Sequence, residues 1–255
     1  MKFGIKEAYP NVPLPEKLKG MVQLIRPLTL VPAFIAGCIG ASLPIVKSVS
    51  IHLTEVILVG LMLSLAQATG QSFNQVFGWR EDVINKTFRP IPSGRLSIKE
   101  AALVSSFIAL LTCIVAYPIG MLPQALIFLA MGFAYNIFIK YSNEWLSLVW
   151  LAIARGFLPF IISYSMFGNL YSPKPWAISL FLTLWVLAFQ STKDIPDIEG
   201  DKAFQIRTLP TVYGIKGTTN IITGLSPNTT YDIKVQLSDG TVISESAVVN
   251  ASTCL

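Results

Sequence analysis

The sequence is poor in charge, histidine and cysteine. Asp, Glu, Lys and Arg make up only 13% of its 255 residues, whereas 53% are hydrophobic and come in long blocks. This composition excludes an ordinary soluble domain and predicts an integral membrane protein. The cysteines, Cys38, Cys113 and Cys254, lack the spacing of a disulfide framework or a zinc site. We expect the one histidine, His52, to be solvated in a short outer loop.

Six apolar blocks are about as long as the roughly 20 residues that cross the ~30 Å hydrocarbon layer as a helix. They are 27–46, 54–77, 101–121, 122–139, 145–166 and 176–193. We therefore predict an all-α membrane protein, a multi-span bundle of about six transmembrane helices. The polar, proline-containing residues 1–20 lack the pattern of a cleavable signal peptide.

Basic residues predict the orientation of the bundle. They cluster before the first span and after spans two, four and six, while the opposite loops hold only Lys47 and Lys174. By the positive-inside rule, the amino terminus and the acidic loops face the cytoplasm in a multi-pass cell-membrane protein. The net charge of +5 reflects this topology and attraction to anionic membrane lipid, and it does not support nucleic-acid binding.

Two polar stripes run out of the ends of apolar blocks. On a regular helix, the side chains of the second stripe would share one face within about 60°. Polar groups inside apolar blocks need partners or water, so we interpret the stripes as lining a site. Such oxygen ligands suit Mg²⁺, which proteins hold with one or two carboxylates plus substrate phosphates. The first stripe is Gln67, Gln71, Asn74 and Asp82, and the second is Gln190, Asp194, Asp197 and Asp201.

The loops after spans two and six mix acids with lysine and arginine. The first runs from Asn74 to Arg95, and the second runs from Lys193 to Pro210. This mixture fits a diphosphate, because carboxylates hold Mg²⁺, the metal bridges phosphate oxygens and cations take the remaining charge. The alternative is that these are solvated loops whose charges flank membrane spans. The spacing of the charges alone favours neither interpretation over the other.

At these residues the sequence resembles the UbiA superfamily of intramembrane prenyltransferases. Its first signature, Asn-x3-Asp-x3-Asp followed by an Asn-Lys-x-x-Arg-Pro-Ile-Pro-Ser-Gly run, is matched at Asn74, Asp82 and residues 85–94. Its second signature, Asp-x3-Asp, is matched at Asp197 and Asp201. The sequence around the second signature is similar to homogentisate prenyltransferase-like and archaeal members.

The resemblance implies Mg²⁺-dependent transfer of a prenyl group from a polyprenyl diphosphate donor to a lipophilic acceptor. The acceptor would be an aromatic ring of the quinone or tocopherol type, or an archaeal glycerol-phosphate ether. Ionisation of the allylic C–O bond gives a carbocation that the acceptor captures, and the charge on the leaving diphosphate must be stabilised. The implied catalytic and metal-binding residues are Asn74, Asp82, Asp197 and Asp201. Those implied near the diphosphate are Asp194, Lys140, Arg89 and Lys86.

Arg155 stands in the middle of an apolar block. An arginine at mid-helix costs roughly 2.5–3.5 kcal/mol on insertion scales unless it faces a cavity or a partner. We therefore consider it for binding the acceptor or the diphosphate, with a structural partner inside the bundle as the alternative. Lys86 and Arg89 have a similar alternative as solvated loop charges.

The first signature is incomplete, because Gly78 stands where its middle aspartate is expected. Glu81 is next to Asp82, but neighbouring residues point about 100° apart on a helix. Glu81 could replace the lost ligand only if the segment is not regularly helical. We expect weakened Mg²⁺ binding and a response of metal affinity or turnover to Gly78→Asp.

The end of the sequence also departs from the family. Members normally have nine spans, whereas the apolar blocks here stop near Gly214 and the sequence then alternates in the manner of β-strands. The last part resembles the later strands of a fibronectin type III module, with too few residues to close a sandwich. We predict a cytoplasmic segment 1–20, a C-terminally incomplete prenyltransferase domain 21–218 and a short β-rich tail 219–255.

Two other functions compete with the enzyme. Gly78 and the missing spans favour an impaired homologue that acts as a membrane scaffold or binding protein. A transporter would use intramembrane charges as a pathway, but the acids cluster at one membrane face.

Overall fold

The computed structural model of the protein describes residues 12–223, 230–233 and 247–250. Residues 12–223 form α-helices joined by short turns. The helices are α1 (Leu14–Ile25), α2 (Leu30–Ser42), α3 (Leu53–Phe77), α4 (Trp79–Asn85), α5 (Ile98–Ala116), α6 (Leu122–Ile137), α7 (Glu144–Ala152), α8 (Leu158–Tyr164), α9 (Pro173–Gln190), α10 (Ile198–Ala203) and α11 (Leu209–Thr223).

Six helical segments in this part of the chain are long and apolar enough to cross a membrane. Each of the six predicted blocks overlaps one of them, so the prediction of an all-α membrane bundle is confirmed. The segments are Leu14–Ile45, Leu53–Phe77, Ile98–Ala116, Leu122–Tyr141, Glu144–Tyr164 and Pro173–Ala203.

The first segment consists of two helices separated at Arg26. This residue adopts a left-handed backbone conformation with φ 55°, which ends α1 and redirects the chain into α2. Leu14 and Val22 on α1 are exposed, whereas Leu24 is buried and packs in one cluster with Leu96. Leu14–Ile25, just before the first predicted block, therefore forms an amphipathic helix, which the polar composition of residues 1–20 did not predict.

The long helix α3 lies at the centre of the bundle and packs against α2, α5 and α6. A Cβ atom on Gly37 of α2 would lie only 2.8 Å from Cα of Gly60 on α3, so the two helices approach at glycine, as membrane helices commonly do. A capping box between Ser97 and Glu100 begins α5. This cap fixes where the loop with the first signature returns to the bundle.

The tail contains two short strands, β1 (Thr230–Ile233) and β2 (Ala247–Asn250). They pair antiparallel, with Thr230 opposite Asn250. The fibronectin-like resemblance otherwise falls outside the described residues and stays a prediction. The predicted boundary after residue 218 falls within α11, and the division into segments also stays a prediction.

Candidate active site

The first polar stripe lines a polar cavity. Gln67, Gln71 and Asn74 follow each other at helical spacing on α3, and all three face a cavity of about 370 Å³. This volume is within the range of small-ligand sites. Nine of the residues that we predicted for the site line the same cavity, namely Asn74, Asp82, Lys86, Arg89, Lys140, Arg155, Asp194, Asp197 and Asp201. Gln190 of the second stripe does not line it and instead accepts a hydrogen bond from Arg155.

Asp82 projects from α4, which begins just after the helix break at Gly78. Nη1 of Arg89 donates to both carboxylate oxygens of Asp82, at 2.8 and 2.6 Å. Burial raises the pKa of Asp82 above its usual range, and the charge of Arg89 opposes this shift. The carboxylate of Asp82 is therefore buried and is held in place by the guanidinium group of Arg89.

The second stripe does not lie on one regular helix, so that prediction was wrong. The α-helix α9 ends at Gln190, a 3₁₀ helix covers Ser191–Asp197, and α10 follows. Pro196 has no backbone N–H and cannot continue an α-helical ladder. A 3₁₀ helix has three residues per turn, so Asp194 and Asp197 still share a face. Both acids reach the cavity through a different local geometry.

Asn85 joins the two acidic loops. Its Nδ2 donates to the backbone carbonyl of Asp197 at 2.8 Å, and its Oδ1 accepts from the backbone N–H of Gly200 at 2.8 Å. A Cβ atom on Gly200 would lie 2.5 Å from Nδ2 of Asn85, so this close approach requires glycine. The sequence placed Asn85 in a signature run but did not indicate this role.

Ion pairs connect the charged groups around the cavity. Asp197 uses only Oδ2 in its pair, while its Oδ1 is buried without a partner among the described residues. Nε2 of the buried Gln71 is likewise unpaired there. Both atoms are exceptions to the rule that buried polar groups have hydrogen-bond partners, and both belong to side chains that line the cavity. The pairs are Arg89–Asp82, Lys86–Asp197, Lys140–Glu81 and Lys193–Asp194.

Within the described residues, no three His, Cys, Asp or Glu side chains form a ready-made metal centre. Mg²⁺ does not need one when it arrives with a phosphate ligand, because one or two protein carboxylates then suffice. The carboxylates of Asp82, Asp197 and Asp201, with the free oxygen of Asp197, fit such a shared site. Their assignment as metal ligands stays a prediction.

Arg155 lies in a π-helical turn, Ile153–Phe157, between α7 and α8. Such turns often occur at functional sites. Nη1 of Arg155 donates to Oε1 of Gln190 at 3.1 Å, while the side chain stays exposed to the cavity. Arg155 therefore has the structural partner that we considered and also faces the place where a ligand would bind.

An apolar cleft adjoins the polar cavity. Its walls include Phe73, Phe128, Leu129, Phe133 and Leu151. The cleft and the cavity share several lining residues, so the two adjoin each other. The shared residues are Arg26, Gln67, Gln71, Asn74, Tyr135 and Arg155.

Arg26 is a site residue that we did not predict. In the sequence it looked like one of several basic residues that flank the first span. The informative feature was its position directly before Pro27, since a residue before proline is disfavoured in a helix. The resulting break between α1 and α2 leaves Arg26 lining both the cavity and the cleft.

A membrane bundle with a charged cavity beside an apolar cleft defines a site for an amphipathic ligand with an anionic head. The model of the UbiA prenyltransferase family matches residues 29–228 of this chain. The chain belongs to the UbiA prenyltransferase family, and the predicted resemblance and enzyme class are confirmed at that level.

Individual relatives agree with this assignment. Digeranylgeranylglyceryl phosphate synthase from Methanobrevibacter smithii is 30% identical over 201 residues, which are 76% of this chain and 69% of the relative. Probable homogentisate phytyltransferase 2 from Oryza sativa subsp. japonica is 33% identical over 60% of this chain and 43% of the relative. The structure of a UbiA homologue from Archaeoglobus fulgidus bound to DMAPP and Mg²⁺ has the same fold, with a TM-score of 0.63. The two chains are 17% identical, and the match covers 80% of this chain and 73% of the homologue.

Proposed function

We propose that this protein transfers a prenyl group from a polyprenyl diphosphate to a lipophilic acceptor inside the membrane and releases diphosphate. The observation that carries the proposal is the junction of the polar cavity with the apolar cleft. A prenyl diphosphate has an anionic head and a hydrocarbon tail, and this junction offers a matching surface to each. The match to the UbiA prenyltransferase family and the relative named for phytyl transfer support the same reaction class.

The polar cavity would hold the diphosphate. Lys140, Arg89 and Lys86 lie on its wall with Arg155, so cationic groups can take up charge on the phosphate oxygens. The residues that would hold Mg²⁺ are Asn74, Asp82, Asp197 and Asp201, and Asp194 lies beside them in the same lining. When bound, Mg²⁺ would neutralise charge on the leaving diphosphate. The Mg²⁺ in the structure of the fold neighbour agrees with this cofactor.

The apolar cleft would hold the prenyl tail and exclude water. In the transfer, the allylic C–O bond of the donor breaks and its electron pair leaves with the diphosphate. The acceptor forms the new bond to the allylic carbon and then loses a proton. Residues such as Phe73 and Phe133 contribute by keeping water from the electron-deficient carbon.

The acceptor is either a glycerol-phosphate ether or an aromatic ring. The name of the Methanobrevibacter relative supports the first class, and that of the Oryza relative supports the second. A phosphate-bearing acceptor would find a cation in Arg155, which lies at the junction of cavity and cleft. We favour the phosphate-bearing acceptor for this reason.

The orientation follows from the distribution of basic residues. We propose that the polar cavity opens to the cytoplasm of a cell membrane, because lysine and arginine concentrate in the loops around it. This orientation would let the water-soluble diphosphate product leave the cavity into the cytoplasm. Cysteine accessibility on either side of sealed vesicles would test it.

Diphosphate release measures the proposed reaction directly. Purified protein would be incubated with Mg²⁺, with donors beginning at DMAPP and GPP, and with one acceptor of each class. We expect Mg²⁺-dependent release that is lost in the Asp197→Ala/Asp201→Ala double variant and retained in Glu144→Gln. Glu144 is a suitable control because it is buried and paired with Arg207 outside the cavity. Absence of product with every donor and acceptor would contradict the proposal.

A further inference from the structure

The space beside Gly78 is already filled. A Cβ atom built on Gly78 would lie 2.9 Å from Oε1 of Glu81, 2.9 Å from Nζ of Lys140 and 2.7 Å from the carbonyl oxygen of Asn74. These distances are shorter than ordinary van der Waals contact. A side chain at position 78 would therefore have to displace an ion pair and backbone.

Glu81 brings a carboxylate into that space. The residue is only 5% exposed, accepts a hydrogen bond from Lys140 and lines the polar cavity together with Asp82. Neighbouring helical residues point in different directions. Nevertheless both carboxylates line the cavity, although Glu81 and Asp82 lie in the regular helix α4. The expectation that Glu81 could replace the lost ligand only in a segment that is not regularly helical was therefore wrong.

We propose that Glu81 supplies the carboxylate that position 78 lacks, as a further ligand for Mg²⁺ with diphosphate, and that Gly78 leaves the room it needs. This inference rests on the proposed function. An independent observation also indicates a ligand here, since Gln71 is only 8% exposed, lines the same cavity and has no partner for its Nε2 within the described residues.

The competing explanation is that Glu81 only anchors the ammonium group of Lys140. The two explanations differ in what Lys140 does to metal binding. If Glu81 binds Mg²⁺, Lys140 competes with the metal for the same carboxylate. Removing Lys140 should then strengthen Mg²⁺ binding more when Glu81 is present than when it is absent. If Glu81 is only an anchor, Lys140→Met should have the same effect in both backgrounds.

Calorimetric titration of the full chain with Mg²⁺, alone and with inorganic diphosphate, tests this difference without turnover. We expect Glu81→Gln to weaken Mg²⁺ binding about tenfold or more, in line with the loss of groups around a metal. Lys140→Met should strengthen binding in the original protein but have less effect combined with Glu81→Gln. Glu144→Gln, at a buried carboxylate outside the cavity, should leave the Kd for Mg²⁺ unchanged.

Moving the carboxylate provides a second test. Gly78→Asp alone should be poorly accommodated, because its Cβ meets Glu81, Lys140 and the carbonyl oxygen of Asn74. Glu81→Ala removes the first of these contacts, so the aspartate should restore part of the Mg²⁺ affinity relative to Glu81→Ala alone. This comparison stays informative if Glu81→Gln folds poorly.

The outcomes separate the inference from the proposed function. A folded Glu81→Gln variant with the original Kd for Mg²⁺, or equal effects of Lys140→Met in both backgrounds, would overturn the role of Glu81 alone. Absence of Mg²⁺-dependent diphosphate release by the original protein would instead overturn the proposed function.

Discussion

Replacing Asn85 with alanine should separate the two acidic loops. The change removes the hydrogen bonds to the carbonyl of Asp197 and from the N–H of Gly200, both 2.8 Å long. Each bond of this kind contributes about 0.5–1.5 kcal/mol, so the docking of the second loop should weaken by about 1–3 kcal/mol. This free energy corresponds to a shift of about 5- to 150-fold in the equilibrium between docked and undocked loops.

The KM for the donor in the diphosphate-release assay and hydrogen exchange across residues 191–203 would measure the effect. We expect Asn85→Ala to raise both while the melting temperature of the bundle in detergent changes little. Asn143→Ala is the matched control, because Asn143 accepts from the N–H of Leu146 at 2.8 Å and caps α7 outside the cavity. It should lower the melting temperature without changing the donor KM.

Gly200→Ala completes a double-mutant cycle with Asn85→Ala. The new methyl group would lie 2.5 Å from Nδ2 of Asn85, so Gly200→Ala alone should disturb the same junction. Removing the Asn85 amide relieves this contact. The effect of the double variant should therefore be smaller than the sum of the effects of the two single variants. Unchanged exchange in 191–203 with Asn85→Ala, together with full additivity, would refute the role of Asn85.

Three further changes address the interior of the bundle. Arg155→Gln should raise the KM for a phosphate-bearing acceptor about tenfold, since it removes one charged hydrogen-bond donor. Loss of the hydrogen bond to Gln190 should lower the melting temperature at the same time. An unchanged KM for the acceptor would contradict a role of Arg155 in binding. Gly156→Ala should lower the free energy of unfolding by about 1–3 kcal/mol in chemical denaturation, because its Cβ would lie 2.7 Å from the backbone of α9. Gly70→Ala should leave it unchanged, because its Cβ would meet no atom of the described residues within 4 Å. Gly132→Phe should fill the apolar cleft and shift the kcat/KM ratio of GPP to DMAPP towards DMAPP; a constant ratio would count against the cleft as the tail site.

Helical spacing predicted which residues line the site more accurately than it predicted the backbone conformation that holds them there. The three polar residues of α3 repeat at helical spacing, so they could be placed together without tertiary information. Pro196 marked the point at which the second stripe leaves the α-helix, but the 3₁₀ spacing that keeps Asp194 and Asp197 together depends on local hydrogen bonds. The membrane spans could be predicted because a transmembrane helix is recognised from the length and the apolar composition of its segment.

Contacts between distant segments could not be predicted from one sequence. Asn85 and Gly200 are brought together by the packing of α4 on α10, and nothing in either local pattern specifies that pairing. Arg26 reaches the cavity because its backbone turns left-handed between two helices. Glu81 could be considered as a replacement ligand from the sequence, but only the structure shows that its carboxylate lies in the space beside Gly78.

If the polar cavity binds the donor and Mg²⁺ as we propose, its ion pairs imply that the two bind cooperatively. Six cationic side chains and five carboxylates line it, and several are already paired with one another. Under the proposed function, an incoming diphosphate would take over lysine and arginine partners and thereby release carboxylates. Carboxylates are ligands that Mg²⁺ prefers. Each ligand would thus prepare the binding site of the other by exchanging partners, and the charge of the cavity would stay close to balanced throughout.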